Sequence, residues 1–310
     1  MKKHLWAICA AVVLIAFTAY MALDTFVIQR VYDSNATGMN TAMFDNISVT
    51  SLSTQQNSGS STGSSASNTS AAGSDTYRDD NISITLTEYY QYNTKIYVAD
   101  VTLSSAEYLK TAFANDTYGR NVTAKTSSIA SSHNAILAIN GDYYGAQESG
   151  YVIRNGVVYR STAKGCDVLC IYADGTMEVV SDRDYTAEEL AAKGVWQAFT
   201  FGPGLIENGS ITVGLNEEVG KAMASNPRTA IGIIDTNHFV FVVSDGRTSE
   251  SAGLSLYELA TFMQSLGVKT AYNLDGGGSS TMYFNGSVVN NPATGGSIKE
   301  RGVSDIVYIG

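Results

Sequence analysis

The sequence predicts an α+β fold: mostly antiparallel or mixed β-sheet with a few packed helices, preceded by a single N-terminal transmembrane helix. Three observations carry this. Short runs alternate apolar and polar residues, the period of a half-buried strand. Asn-Gly or Asp-Gly pairs recur between such runs at Asn155-Gly156, Asp174-Gly175, Asn208-Gly209 and Asn285-Gly286, and hairpin turns of type I′ need positive φ at both central positions. An uncharged stretch from Leu5 to Leu23 follows Lys2, Lys3 and His4, about the length that spans a hydrocarbon core, with its basic flank on the cytoplasmic side.

Taken in order, residues 1–4 are the cytoplasmic flank and residues 5–23 an uncleaved anchor, with Cys9 inside it. Ala16, Ala19 and Ala22 fall three apart and make no small-x-small cleavage site. Residues 24–76 are an extracytoplasmic tether. From Thr50 to Ser74 the chain is Ser, Thr, Gly, Asn and Gln with little else, too polar to offset the entropy of ordering and spanning about 25 to 30 Å as a coil. The folded domain is residues 77–310.

Within it, Ile82, Ile84 and Leu86 alternate with polar residues, and after Tyr92-Asn93-Thr94 a second alternating run covers Lys95 to Leu103, so the two form a hairpin. Ser255 and Glu258 make a capping box for a helix that buries Leu259, Met263 and Leu266 and stops at Gly267. Val268 to Leu274 then reads as a strand. Further helices are expected at Ala187–Lys193 and Ala106–Phe113. No repeat period supports a solenoid or propeller.

Nineteen basic against 29 acidic residues give a net charge of -10. A nucleic-acid partner is excluded on that balance, because duplex binding needs a basic face. Three cysteines cannot build a disulfide scaffold, and Cys166 and Cys170, about 13 Å apart at strand rise, should be two buried, unbridged thiols. There is no P-loop, nucleophile elbow or dinucleotide fingerprint. With His133 and His238 the only histidines of the domain, no zinc site is expected; His133 reads as a loop residue with its partners satisfied and His238 as part of a hairpin turn. No cofactor is expected, with structural calcium left open.

The densest chemical signal is Asn273-Leu274-Asp275-Gly276-Gly277-Gly278-Ser279-Ser280-Thr281. An apolar strand there delivers a carboxylate to three glycines, which suit close backbone approach to a ligand or an anion-binding nest. A bare turn between two strands is the alternative. A second apolar run, Ala135 to Ile139, ends in Asn140-Gly141-Asp142-Tyr143-Tyr144; paired carboxylates serve glycosyl transfer and aromatic faces pack on sugar rings. Arg228, in Asn226-Pro227-Arg228-Thr229, and Arg247, in Ser244-Asp245-Gly246-Arg247, stand at the start and end of one expected hairpin. Their planar forks match phosphate oxygens. Arg301-Gly302-Val303-Ser304-Asp305 adds one more Arg and one more Asp before the last strand.

Together with Phe201-Gly202-Pro203-Gly204-Leu205, these motifs resemble the phosphodiester glycosidase family over about Ile96 to Ile309. The resemblance implies hydrolysis of the bond between an anomeric carbon and a phosphodiester oxygen. It places Asp275 as the leading catalytic carboxylate, Asn140 as a substrate-positioning amide and Asp142 as a partner carboxylate. Arg228, Arg247, Gly276, Gly277, Gly278 and Ser279, with Tyr143 and Asp245, would hold substrate and phosphate. The expectation is a membrane-anchored enzyme of a bacterial cell surface, acting on sugar-1-phosphodiesters in exopolysaccharide or wall polymers. A non-catalytic glycan-binding module is one alternative; the other is a metal-dependent phosphodiesterase using Asp142, Asp245, Asp275 and Asp305.

Overall fold

The computed structural model describes residues 5–32, 39–44, 75–219 and 225–310. The β-rich expectation holds, and the strand pairings within these residues are antiparallel. Strands Ile82–Gln91 and Thr94–Leu103 pair along their full length, with Tyr92 and Asn93 at positive φ in the turn. The hairpin grows into an eight-stranded sheet in which His238–Ser244 lies beside Thr94–Leu103, followed by Arg228–Asp235, Thr270–Asn273 and Gly204–Glu207. One five-stranded sheet carries Leu137–Asn140 between Met282–Phe284 and Asp305–Ile309, and a second centres on Val195–Phe199 and Asp167–Tyr172. All four Asx-Gly pairs sit at hairpin turns.

Residues alternate between two cores, which is why the central strands read as continuous apolar runs. Phe239, Phe241 and Val243 face a core shared with Leu137, Ile139, Leu169 and Phe199 from the two five-stranded sheets. Val240 and Val242 face the other way, onto Leu259, Phe262 and Met263 of a helix. Helix α1 is Leu5–Phe26, α2 Thr126–Ser132, α3 Ala187–Ala192 and α4 Leu256–Ser265. The capping box of Ser255 and Glu258 starts α4, and an equivalent box of Thr186 and Glu189, which sequence reading missed, starts α3.

One expected helix is not there. Ala106–Tyr108 is a single 3₁₀ turn, and Leu109–Phe113 is a strand paired with Asp305–Ile309. Leu109 and Thr111 are buried while Lys110 is half-buried, so pairing with the last strand overrides local helix preference. Cys166 and Cys170 are free, as expected, but only Cys170 is buried; Cys166 is half-buried. His133 caps the end of α2 and reaches Asp116, and His238 opens a strand beside Asp100.

Among the described residues, no helix is long and apolar enough to cross a membrane. The described side chains of α1 run from Cys9 to Thr25, and its backbone continues to Leu5. Most of the expected Ser-rich tether falls in residues 45–74, outside the described residues. The parts of 24–76 that are described lie against the domain: Arg30–Val31 pairs with Gly119–Arg120, and Phe44 packs edge-on against Trp196 with ring centroids 4.9 Å apart.

Candidate active site

The strand Thr270–Asn273 delivers Asp275 to the rim of a cleft of about 150 Å³, lined by Phe201, Arg228, Arg247, Asp275, Gly276, Gly277 and Arg301 among others. The loop at its floor is glycine for a different reason at each position. A Cβ on Gly276 would stand 2.9 Å from the Pro227 carbonyl oxygen, and one on Gly278 2.5 Å from Thr294 Oγ1. Gly277 has φ +62, and its Cβ would press on the Arg247 guanidinium at 3.0 Å. The Gly277 N–H donates to the Pro227 carbonyl at 2.8 Å, so that amide is spent on the fold and is not an anion donor as expected.

The Asp275 carboxylate accepts from Ser279 Oγ at 2.6 Å and from Arg301 Nη2 at 2.9 Å. Arg301 also donates through Nε to Ser279 Oγ at 2.9 Å. Burial raises the Asp275 pKa above the ordinary carboxylate value, opposed by Arg301 and Ser279. Arg301, whose place before the last strand the sequence shows without linking it to the glycine loop, is thus a direct partner of Asp275. Ser279 is buried and holds Asp275 from behind.

Arg228 and Arg247 both reach this cleft, as the hairpin predicted. Arg228 opens its strand opposite Ser244, the last residue of the paired strand, and Arg247 lies just beyond that end. Arg228 donates through Nε to the Leu254 carbonyl at 2.8 Å and through Nη2 to Glu218. Burial pulls its pKa down, and the charge of Glu218 opposes this. Arg247 is held by the Asn226 side-chain oxygen, at 3.1 Å from Nε and 2.6 Å from Nη2. Nothing in the motifs pointed to Glu218; it belongs to a stretch with no periodic signal.

The second chain reversal meets the first, but beneath the cleft. Asn140 is fully buried. Its amide donates to the Asp275 carbonyl at 2.6 Å, and its oxygen accepts from Thr229 Oγ1 at 2.8 Å and Thr281 N at 3.3 Å. Its side chain binds the loop together instead of facing a ligand. Asp142 is sealed too, accepting from Arg154 Nη2 at 3.0 Å, Tyr144 N at 3.1 Å and Thr200 N at 3.0 Å. Arg154 bridges on to Asp305 at 2.8 Å. Burial works against the Arg154 charge, but Asp305 and Asp142 outweigh it and its pKa is raised. One guanidinium cannot neutralise two buried carboxylates, and burial pushes Asp305 up to about 7.

Tyr143 packs edge-on against Phe201 with centroids 4.9 Å apart. Asp245 lies away from the cleft lining, accepting from Asn291 N at 2.8 Å and from Asn291 Nδ2 at 3.0 Å. Its carboxylate pins the 290–291 turn. The four-aspartate metal cluster is therefore not assembled, since Asp142 and Asp305 face Arg154 and Asp245 faces asparagines; among the described residues no group of three His, Cys, Asp or Glu is placed to hold a metal ion.

The sequence profile of the phosphodiester glycosidase family matches residues 133–310, the stretch that contains every group just described. The chain belongs to the phosphodiester glycosidase family. Its members are hydrolases. The chain is 30% identical over 188 residues to the SPbeta prophage-derived uncharacterized protein YomE of Bacillus subtilis (strain 168), covering 59% of this chain and 29% of that protein. It is 32% identical over 142 residues to N-acetylglucosamine-1-phosphodiester alpha-N-acetylglucosaminidase of Homo sapiens, covering 40% of this chain and 26% of the human protein. The chain thus spans under a third of the length of these relatives. The zebrafish catalytic domain of the same enzyme, auto-inhibited by its pro-peptide, has the same fold, with TM-score 0.57 at 19% identity over 74% of this chain and 82% of that one. A hypothetical protein from Synechocystis superposes with TM-score 0.58 at 16% identity, covering 74% of this chain and 62% of that one.

Proposed function

We propose that the chain hydrolyses sugar-1-phosphodiesters at the anomeric C–O bond, with Asp275 as the catalytic carboxylate. The observation that carries this is one partly accessible carboxylate held between Arg301 and Ser279 in a cleft that also presents Arg228 and Arg247. The phosphodiester binds against the arginines, which neutralise charge developing on the leaving phosphate oxygen. Asp275 faces the anomeric carbon and stabilises its oxocarbenium-like charge as the bond to phosphate lengthens. Water supplies the new oxygen of the sugar, and the phosphate leaves as a monoester. Asn140 and Asp142 act through the loops they hold and do not touch substrate.

The substrate class, surface polysaccharide or wall polymer, follows from an extracytoplasmic domain on a lipid-anchored helix. Support for the anchor is the uncharged run Leu5 to Leu23 and the exposure of Val12, Val13, Leu14 and Ile15. Four successive residues cover the whole circumference, and a helix apolar all round suits lipid better than water. The test is release of reducing sugar from a synthetic sugar-1-phosphodiester by the full chain in detergent. Asp275→Asn should lower turnover at least about a hundredfold while the melting temperature holds. Undiminished turnover in that variant overturns the assignment.

A further inference from the structure

We propose that the N-terminal segment is a built-in clamp, which fixes the domain directly at the end of α1, so that the Ser-rich stretch does not set the distance between helix and domain. The clamp has two parts. In the first, the end of α1 meets the loop after Gly119–Arg120. Asn121 Nδ2 donates to the carbonyls of Thr25, in the last turn of α1, at 3.3 Å and of Ile28, two residues past the helix, at 3.0 Å; a helix end leaves its last carbonyls to such outside donors. Arg30 and Val31 then pair with Arg120 and Gly119, and Tyr32 N–H donates to the Tyr118 carbonyl at 3.0 Å. Gly119 is what admits this strand: a Cβ there would lie 2.4 Å from the Arg30 carbonyl oxygen.

The second part is residues 39–44. Asn40 N–H donates to the Asn155 carbonyl at 2.9 Å. Phe44 is buried with Ala106, Ala173 and Trp196. At Gly156 a Cβ would meet Met43 Sδ at 2.6 Å, so the hairpin turn is shaped around the segment that crosses it. Leu86 N–H then donates to the Asp75 carbonyl at 2.7 Å, and Thr76–Arg78 pairs with Ile82–Gln91. Phe44 and Asp75, on either side of the Ser-rich stretch, therefore both pack on the same domain.

Two consequences follow. The first concerns distance. A leash of that composition would add about 25 to 30 Å, whereas a clamped domain of this size keeps its cleft within about 45 Å of the helix end, the diameter expected from its length. The second concerns the site. The clamp bears on the loop that carries Asp142 and Tyr143: Asn121 N–H donates to the Gly145 carbonyl at 3.0 Å, and the Tyr118 and Tyr144 rings stack at 5.1 Å. If α1 is in lipid, as proposed above, the enzyme works on phosphodiesters close to the bilayer. The clamp itself does not depend on that reading.

The test uses the full chain with a protease site placed between residues 55 and 65, cut to completion as judged on a denaturing gel. In detergent, the two fragments should co-elute on size exclusion; separate elution overturns the clamp. On phosphatidylethanolamine and phosphatidylglycerol vesicles, the domain fragment should pellet with the lipid after the cut. Its release while the helix fragment pellets overturns the proposal as well. An uncut chain that stays in the supernatant refutes only the anchor, and the detergent result then decides the clamp alone. The double variant Gly119→Ala and Phe44→Ala should lower retention of the cut domain from nearly all to under half; full retention shows that these contacts are not what holds it.

Discussion

The side-chain amide of Asn140 donates to the backbone carbonyl of Asp275 at 2.6 Å, joining two loops 135 residues apart. The same side chain accepts from Thr229, the neighbour of Arg228, so the Asp275 loop and an arginine of the cleft are positioned by one buried amide. Asn140→Ala leaves the Thr229 hydroxyl, the Thr281 N–H and the Asp275 carbonyl without this partner. We expect a loss of about 3 kcal/mol in urea unfolding together with a fall in turnover. A variant as stable as the parent contradicts the role.

Arg301 should set the pH dependence of the reaction. Burial already raises the Asp275 pKa and Arg301 opposes that rise. Arg301→Ala removes the opposition, so the carboxylate protonates at higher pH and the acid limb of the rate profile moves upward. Arg301→Lys restores part of the shift. An acid limb that stays in place in both variants means Arg301 does not act on Asp275.

Arg228 and Arg247 should separate in their effects. Arg228 is buried and paired with Glu218, so Arg228→Ala strands a largely buried carboxylate and costs about 3 kcal/mol in stability as well as activity. Arg247 is exposed, so Arg247→Ala should raise KM with little change in the melting temperature. Equal melting temperatures for the two variants run against this picture.

The glycines rank by what each would strike. Gly276→Ala meets backbone, the Pro227 carbonyl, and should impair folding most. Gly277→Ala takes on strain of about 1 kcal/mol from its positive φ and displaces the Arg247 guanidinium, which shows in KM. Thermal melts and steady-state kinetics of both variants check the order.

Asp305 supplies a stability signature. Its folded-state pKa, raised by burial to about 7, exceeds the unfolded value of about 3.9, so the folded state holds its proton more tightly. That contribution is complete below pH about 4 and is lost as pH rises through about 7. Asp305→Asn should flatten this slope in denaturation curves taken across the interval, and an unchanged slope removes Asp305 as its source.

Much of this was legible in the sequence because the signals were local. Turn dipeptides marked four hairpins, the capping box of Ser255 marked α4, and Arg228 and Arg247 were placed together by the hairpin between them. What was not legible depends on partners distant along the chain. Leu109–Phe113 becomes a strand only because Asp305–Ile309 lies beside it. Asn140, Asp142 and Asp245 have the residue types of a site, yet each is consumed by hydrogen bonds from segments that sequence does not bring together. The clamp was hidden for the same reason: Tyr32 and Phe44 stand in a stretch with no period, and only their partners Tyr118 and Trp196 show why they are there.

The most direct test of the account is product analysis in water enriched in heavy oxygen, with the full chain acting on a sugar-1-phosphodiester. Cleavage at the anomeric carbon puts the heavy oxygen in the released sugar and none in the phosphate monoester. Heavy oxygen found in the phosphate instead would mean attack at phosphorus, and Asp275 would not be acting on the sugar.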